Sequence, residues 1–202
     1  MATIEYGKVQ IFDDLVPVQL YRDLLQAMQR VGWQFGWRSP TSVTNRYWHH
    51  EVGYGPKDGT EDISENVRKH PLPVFAAYQD WLRSQLVPAD TRILRYYLNA
   101  HTYGTDGSAH TDTERGEELT SVLYLTPQWK PAWCGETVVF DQNGDIAASA
   151  LPKANRLLIF PSDRLHAPRP LAKEFSGLRV VLVVKMGTPS GLGKEFTRIG
   201  AG

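Results

Sequence analysis

The chain has 202 residues, enough to bury a proper core, and its 42% apolar share is ordinary for a globular protein. Lys+Arg and Asp+Glu stand at 22 each, so no excess of positive charge marks a surface that tracks phosphates, and nucleic acid is not an expected partner. The single cysteine, Cys134, excludes an internal disulfide framework.

No stretch approaches 18 consecutive apolar residues and the N-terminus lacks a basic segment leading into an apolar run. These features set the expectation of a cytoplasmic, soluble protein with no membrane partner. Residues 1–202 read as one domain: helical support and pocket elements over 1–90, a β-rich core over 91–187, and a tail over 188–202.

Residues 5–12 alternate weakly, as a short strand does. Pro17 stands where a first helical turn tolerates it, and Tyr21, Leu24, Leu25, Met28 and Val31 follow at helical spacing, predicting a helix that ends near Gly32. Trp33 to Tyr54 is dense in aromatic residues and non-helical, which fits either strand packing at a barrel mouth or part of a substrate pocket. Residues 53–65 are polar and glycine-rich, a loop of the kind that serves as a lid. Pro71 to Leu86 carries Val74, Phe75, Tyr78, Trp81, Leu82 and Leu86 on one broad side, predicting a second helix.

From Thr91 the texture changes to short β-type runs: 93–99, 119–126, 136–141, 146–151, 156–160 and 178–185. Strands separated by turn signals point to a sandwich or barrel. Two runs, Leu119 to Leu125 and Leu178 to Val184, are apolar on both faces, as expected where one face lines an interior and helices cover the other. The predicted fold is α+β and mainly β, a jelly roll buttressed by N-terminal helices.

The chemistry concentrates at His110-Thr111-Asp112. In extended chain the side chains of residues i and i+2 leave one face, so an imidazole and a carboxylate can meet at one metal ion. His166, just after the apolar run Leu157 to Phe160, is the candidate third ligand. Two imidazoles and one carboxylate form the open site associated with non-haem Fe(II) oxygenases. A second His-x-acid pair, His49-His50-Glu51, has no third ligand at usable spacing and reads as surface or packing.

Four features line up: His110-x-Asp112; Trp133-Cys134-Gly135-Glu136-Thr137; Leu151-Pro152-Lys153 with Asn155 to Ser162 leading into His166; and Leu178 to Lys185. Over residues 93–186 this pattern resembles the 2-oxoglutarate/Fe(II)-dependent dioxygenases, most closely the prolyl 4-hydroxylase-like branch. The resemblance implies a double-stranded β-helix (cupin-like) core, Fe(II) on His110, Asp112 and His166, and 2-oxoglutarate and O2 as co-substrates, with ascorbate as an accessory reductant. It also implies that Arg179 binds the far carboxylate of 2-oxoglutarate with help from the Tyr124 hydroxyl. A polar contact ahead of the His-x-Asp pair falls to Asn99, with Tyr97 and His101 as alternatives.

Residue chemistry agrees for Arg179. It shares a strand face with Val181 and Val183, where a charge is costly unless paired, and a carboxylate matches the guanidinium fork. Cys134 stands where relatives often carry glycine, and the interval before Arg179 leaves room for an extra loop, 168–176. Because Asp112 is present, halogenating variants that vacate that position are disfavoured. The implied activity is hydroxylation of an aliphatic C–H bond in a small molecule such as an amino acid or natural-product scaffold. A peptidyl prolyl or other residue is the alternative, and Arg169, Trp48 and Tyr103 are the candidate substrate contacts, with Trp37 also facing that region. The rivals of other classes are a non-catalytic jelly-roll binding module and a cupin-like isomerase using another divalent metal.

Overall fold

The computed structural model describes residues 4–5, 7–39, 44–56, 60–114 and 118–187. The expected tail over 188–202 lies outside them. Among the described residues ten strands form two antiparallel sheets. The larger follows the order β1 (Gln10–Asp13), β8 (Arg156–Pro161), β5 (Glu118–Tyr124), β10 (Arg179–Gly187), β4 (Arg92–His101), β3 (Tyr47–Gly53) and β2 (Gln34–Trp37). The smaller is β7 (Ile146–Ala150), β6 (Thr137–Phe140) and β9 (His166–Pro168).

Strand parity builds three layers. On β4, Tyr96, Leu98 and Ala100 face the helices, while on β10 Val180, Leu182, Val184 and Met186 do the same. They pack with Tyr21 and Leu24 of α1 (Val18–Ala27) and with Phe75, Tyr78 and Leu82 of α3 (Val74–Gln85). The opposite face of the large sheet carries Tyr97, Val122, Tyr124, Val181 and Val183, which meet Val139 and Ala150 of the small sheet. Every residue of β5 and β10 is buried, as strands covered on both faces should be. This is the double-stranded β-helix buttressed by helices that the sequence predicts.

Three local differences have physical causes. α1 stops at Ala27 rather than near Gly32, because the chain tightens into i→i+3 turns, Gln29 N–H to Gln26 and Arg30 N–H to Ala27, and the Trp33 indole donates to the freed Met28 carbonyl at 3.2 Å. At the end of the predicted loop a short helix α2 (Ser64–Arg68) begins, its first turn held by Asp62 Oδ1 accepting the Ser64 N–H at 3.0 Å. The three-residue strand β9 is too short to show a period.

None of the described residues of the 53–65 loop lines the central cavity. Instead Ile63 is buried and its N–H donates to the Ile93 carbonyl, while Asn66 ties down Tyr54, so this part of the loop is a strut on the sheet rather than a lid. No helix among the described residues is long and apolar enough to cross a membrane.

Candidate metal and co-substrate site

The inner face of the large sheet and the small sheet enclose a cavity of about 660 Å³, counting its open mouth. His110 and His166 lie across an isolated antiparallel bridge in which each backbone N–H donates to the other's carbonyl at 3.0 Å. One turn further on, the Asp112 N–H donates to the Ser162 carbonyl at 2.8 Å. These bonds bring the three side chains together with ligand atoms within 4.8 Å of one another.

The tautomers follow from the partners. His110 Nδ1 lies 2.8 Å from the Ser108 carbonyl and His166 Nδ1 2.9 Å from the Arg164 carbonyl. A carbonyl only accepts, so each Nδ1 carries the proton and each Nε2 presents its lone pair. Those Nε2 atoms stand 3.5 Å and 3.7 Å from the Asp112 carboxylate. Burial lowers the His166 pKa, which keeps that imidazole neutral and fit to ligate. Two neutral imidazoles and a carboxylate are the donor set that suits Fe(II) with positions left open.

Asp112 is held from behind. Lys185 Nζ donates to Oδ1 at 2.6 Å, and Thr120 Oγ1 donates to Oδ2 at 2.6 Å while itself lying 2.8 Å from Ser162 Oγ. Burial works against the charged carboxylate, but the Lys185 ammonium, the foremost of the opposing charges, helps to hold the pKa well below the carboxylate range.

Deeper in the cavity Arg179 is 1% exposed. One Nη2 proton goes to Thr137 Oγ1 at 2.8 Å, the guanidinium stands 5.3 Å over the Tyr124 ring, and Nε has no partner. The Glu136 charge reaches it, yet among the described residues no carboxylate lies within the 4.0 Å of a salt bridge. A buried cation with an orphaned N–H and an open side needs an external anion. Across the strand pair, in register with Arg179, both ring nitrogens of buried His101 are unpartnered, and burial together with the Arg179 charge pushes its pKa down to about 3.

Not every candidate reaches the cavity. Tyr124 is fully buried behind Arg179; its hydroxyl donates to the Ala150 carbonyl at 2.9 Å and lies 2.8 Å from Thr137 Oγ1, so it backs the guanidinium instead of facing the cavity. Trp48 points to the opposite face of β3, against Phe35 and the helical core. Tyr103 sits on the turn after β4, 56% exposed, and Arg169 is exposed beyond β9; neither lines the cavity. Trp37 does line it, stacked on His49 at 3.9 Å. His49 bridges Asn99 (2.7 Å) and Glu51 (3.2 Å), a packing role for the second His-x-acid pair. The three alternatives ahead of His110, Tyr97, Asn99 and His101, share one strand face and all line the cavity.

Sequence reasoning gave no role to Arg95, Thr120, Thr137 and Lys185, which also line it. The signal was parity: Lys185 is on the Arg179 face of β10, and Arg95 on the Asn99 face of β4. Cys134, the departure from the glycine of relatives, adopts φ 55° and ψ −138°, a conformation suited to glycine. The extra loop folds back so that Phe175 packs against Trp129 and Trp133.

Residues 94–184 match the 2OG-Fe(II) oxygenase superfamily, a span running from β4 into β10 that includes all three residues of the candidate metal site. Similar solved structures include a prolyl hydroxylase from Trichoplax adhaerens complexed with a hypoxia inducible factor peptide fragment (16% identity, TM-score 0.63, 97% of this chain and 88% of that one). A prolyl-4-hydroxylase from Pseudomonas putida is similar as well (17%, 0.62, 91% and 94%). So is HygX from Streptomyces hygroscopicus with nickel, 2-oxoglutarate and hygromycin B bound (11%, 0.58, 90% and 83%). No curated protein sequence matches the chain. The family match over residues 94–184, the shared fold and the His-Asp-His cluster make this part of the chain similar to the 2OG-Fe(II) oxygenases, enzymes that work with Fe(II), 2-oxoglutarate and O2.

Proposed function

We propose that the chain hydroxylates an aliphatic C–H bond of a small molecule, with His110, Asp112 and His166 as the iron ligands and Arg179 as the anchor for the distal carboxylate of 2-oxoglutarate. The observation that carries this reading is the pairing of a three-ligand cluster with a buried guanidinium that has no acid of its own. Bound Fe(II) with 2-oxoglutarate and O2 supplies oxidative decarboxylation to succinate and CO2 coupled to transfer of one oxygen atom to the substrate.

The chain's own residues do the positioning. Ser108 and Arg164 carbonyls fix the imidazole rings, Lys185 and Thr120 fix the carboxylate, and Thr137 with the Tyr124 ring fixes the guanidinium. Val122, Val181 and Val183 make the intervening wall apolar and keep water from the reacting carbon. Arg179, not a lysine, suits a planar bidentate partner.

A prolyl or other residue within a peptide is the second reading, supported by the peptide complex of the Trichoplax relative. Supplying iron, 2-oxoglutarate and ascorbate with free amino acids and with proline-containing peptides separates the two by which mixture gains about 16 Da, the mass of one oxygen atom. Succinate formation that survives Asp112→Ala would remove the metal assignment.

A further inference from the structure

The cavity has a second cationic end. Arg179 and His101 are in register at one end of the β10–β4 pair, and Lys185 and Arg95 are in register toward the other, about 20 Å away along the strands at roughly 3.3 Å per residue. The Lys185 charge is met by Asp112. Arg95 has no such partner: it lines the cavity half-buried, lies 5.3 Å from the Tyr97 ring centroid, and makes no side-chain hydrogen bond or ion pair among the described residues. The acids around it are committed elsewhere, Asp112 to Lys185 and Glu51 to His49.

Two phenols stand in the same field. The Tyr47 and Tyr97 hydroxyls also line the cavity without a hydrogen-bond partner among the described residues. Burial raises both pKa values, so they remain O–H donors at neutral pH. Trp37, 39% exposed, offers an aromatic wall at the mouth. An unpaired guanidinium with Tyr97 against it, on a cavity wall that Tyr47 and Trp37 also line, forms a receptor for an anion attached to a carbon skeleton.

We propose that Arg95, with Tyr97, is a carboxylate-binding subsite that anchors the substrate, so that the substrate is a small carboxylic acid held by its carboxylate while its carbon chain extends toward His110, Asp112 and His166. This rests on the oxygenase site assigned above and narrows its substrate. A free guanidinium at the cavity wall rewards an acid over the matching amide, and a charge-assisted pair of this kind corresponds to tenfold or more in affinity, about 1.4 kcal/mol per tenfold.

The test uses the full chain loaded anaerobically with Fe(II) and 2-oxoglutarate, whose weak visible absorption band is recorded first. The probes are free amino acids, their N-acetyl derivatives and N-acetyl dipeptides, each as the acid and as the primary amide. Band perturbation reads binding, and succinate released on admitting oxygen reads coupling. Acids should bind about tenfold or more tightly than their amides. The preference should vanish in Arg95→Gln and survive in part in Arg95→Lys, with Tyr97→Phe weakening acids more than amides. A free amino acid outranking the dipeptide acids would place the carboxylate on a small molecule rather than a chain terminus, as proposed, and the reverse order would overturn that assignment. Equal binding of acids and amides, no probe binding while the band forms, or a preference unchanged in Arg95→Gln overturns the subsite. Failure of the wild-type band overturns the iron and 2-oxoglutarate assignment itself, and the subsite with it.

Discussion

Lys185 on β10 and Asp112, in the bend that follows the His110 bridge, form an ion pair of 2.6 Å with side chains 7% and 3% exposed. The carboxylate that the proposed function gives to iron is therefore charge-balanced before any metal arrives. Removing one member of a buried pair commonly costs about 3–5 kcal/mol, because the other is left uncompensated. Lys185→Met should lose stability of that order in metal-free urea unfolding and considerably less with saturating Fe(II), where the ion supplies the missing positive charge. Equal losses in both conditions would show that metal and lysine do not share the carboxylate.

Arg179→Gln removes the fork and its charge and leaves a shorter polar side chain. Metal affinity should be retained while the KM for 2-oxoglutarate rises by about tenfold or more, the worth of a charge-assisted contact. Arg179→Lys should recover only part of it, since a point charge replaces a planar bidentate group. A KM unaltered in both variants would assign the co-substrate carboxylate to another residue.

The buried His101 sets a pH dependence. Its folded pKa of about 3 lies below the ordinary histidine value of 6.5, so the unfolded chain takes up a proton more readily than the folded one. The contribution is fully present above pH 6.5 and is lost as pH falls toward 3. Unfolding free energy measured across that window should fall less steeply in His101→Gln than in the wild type. Parallel slopes would mean that His101 is not held neutral by the fold.

At Cys134 the positive φ of 55° is strained for any residue with a Cβ. Cys134→Gly should raise stability by about 1 kcal/mol, the relief of strain less the greater chain entropy of glycine in the unfolded state. A lower melting temperature in the variant would show that the cysteine makes contacts that outweigh the strain.

Much of the architecture is legible in residue order because period and composition are local properties. The apolar runs at 119–125 and 178–184 announce strands buried on both sides, and Tyr21 with Leu24 or Tyr78 with Leu82 announces a helix face. Helix ends were less legible, since the stop of α1 depends on the Trp33 indole reaching back to Met28. Tyr124 and Trp48 show the limit for site residues. Parity on one strand gives the face of a side chain, but not whether that face opens on a cavity or is sealed by its neighbours. Tyr124 is on the inward face and is covered by Arg179; Trp48 is on the outward one.

The order of residues alone determined most of the strands and helices and the helix-backed β fold, and it singled out His110, Asp112 and His166 as candidates, because each is written in spacing and side-chain type. Tertiary structure decided what those residues meet. Lys185 beside Asp112, the unpaired Nε of Arg179 and the unpaired guanidinium of Arg95 are relations between distant segments, set by how the chain closes and by which neighbour happens to neutralise which charge. A charge is costly or useful according to what surrounds it after the chain has closed, and that surrounding is assembled from segments far apart in the sequence.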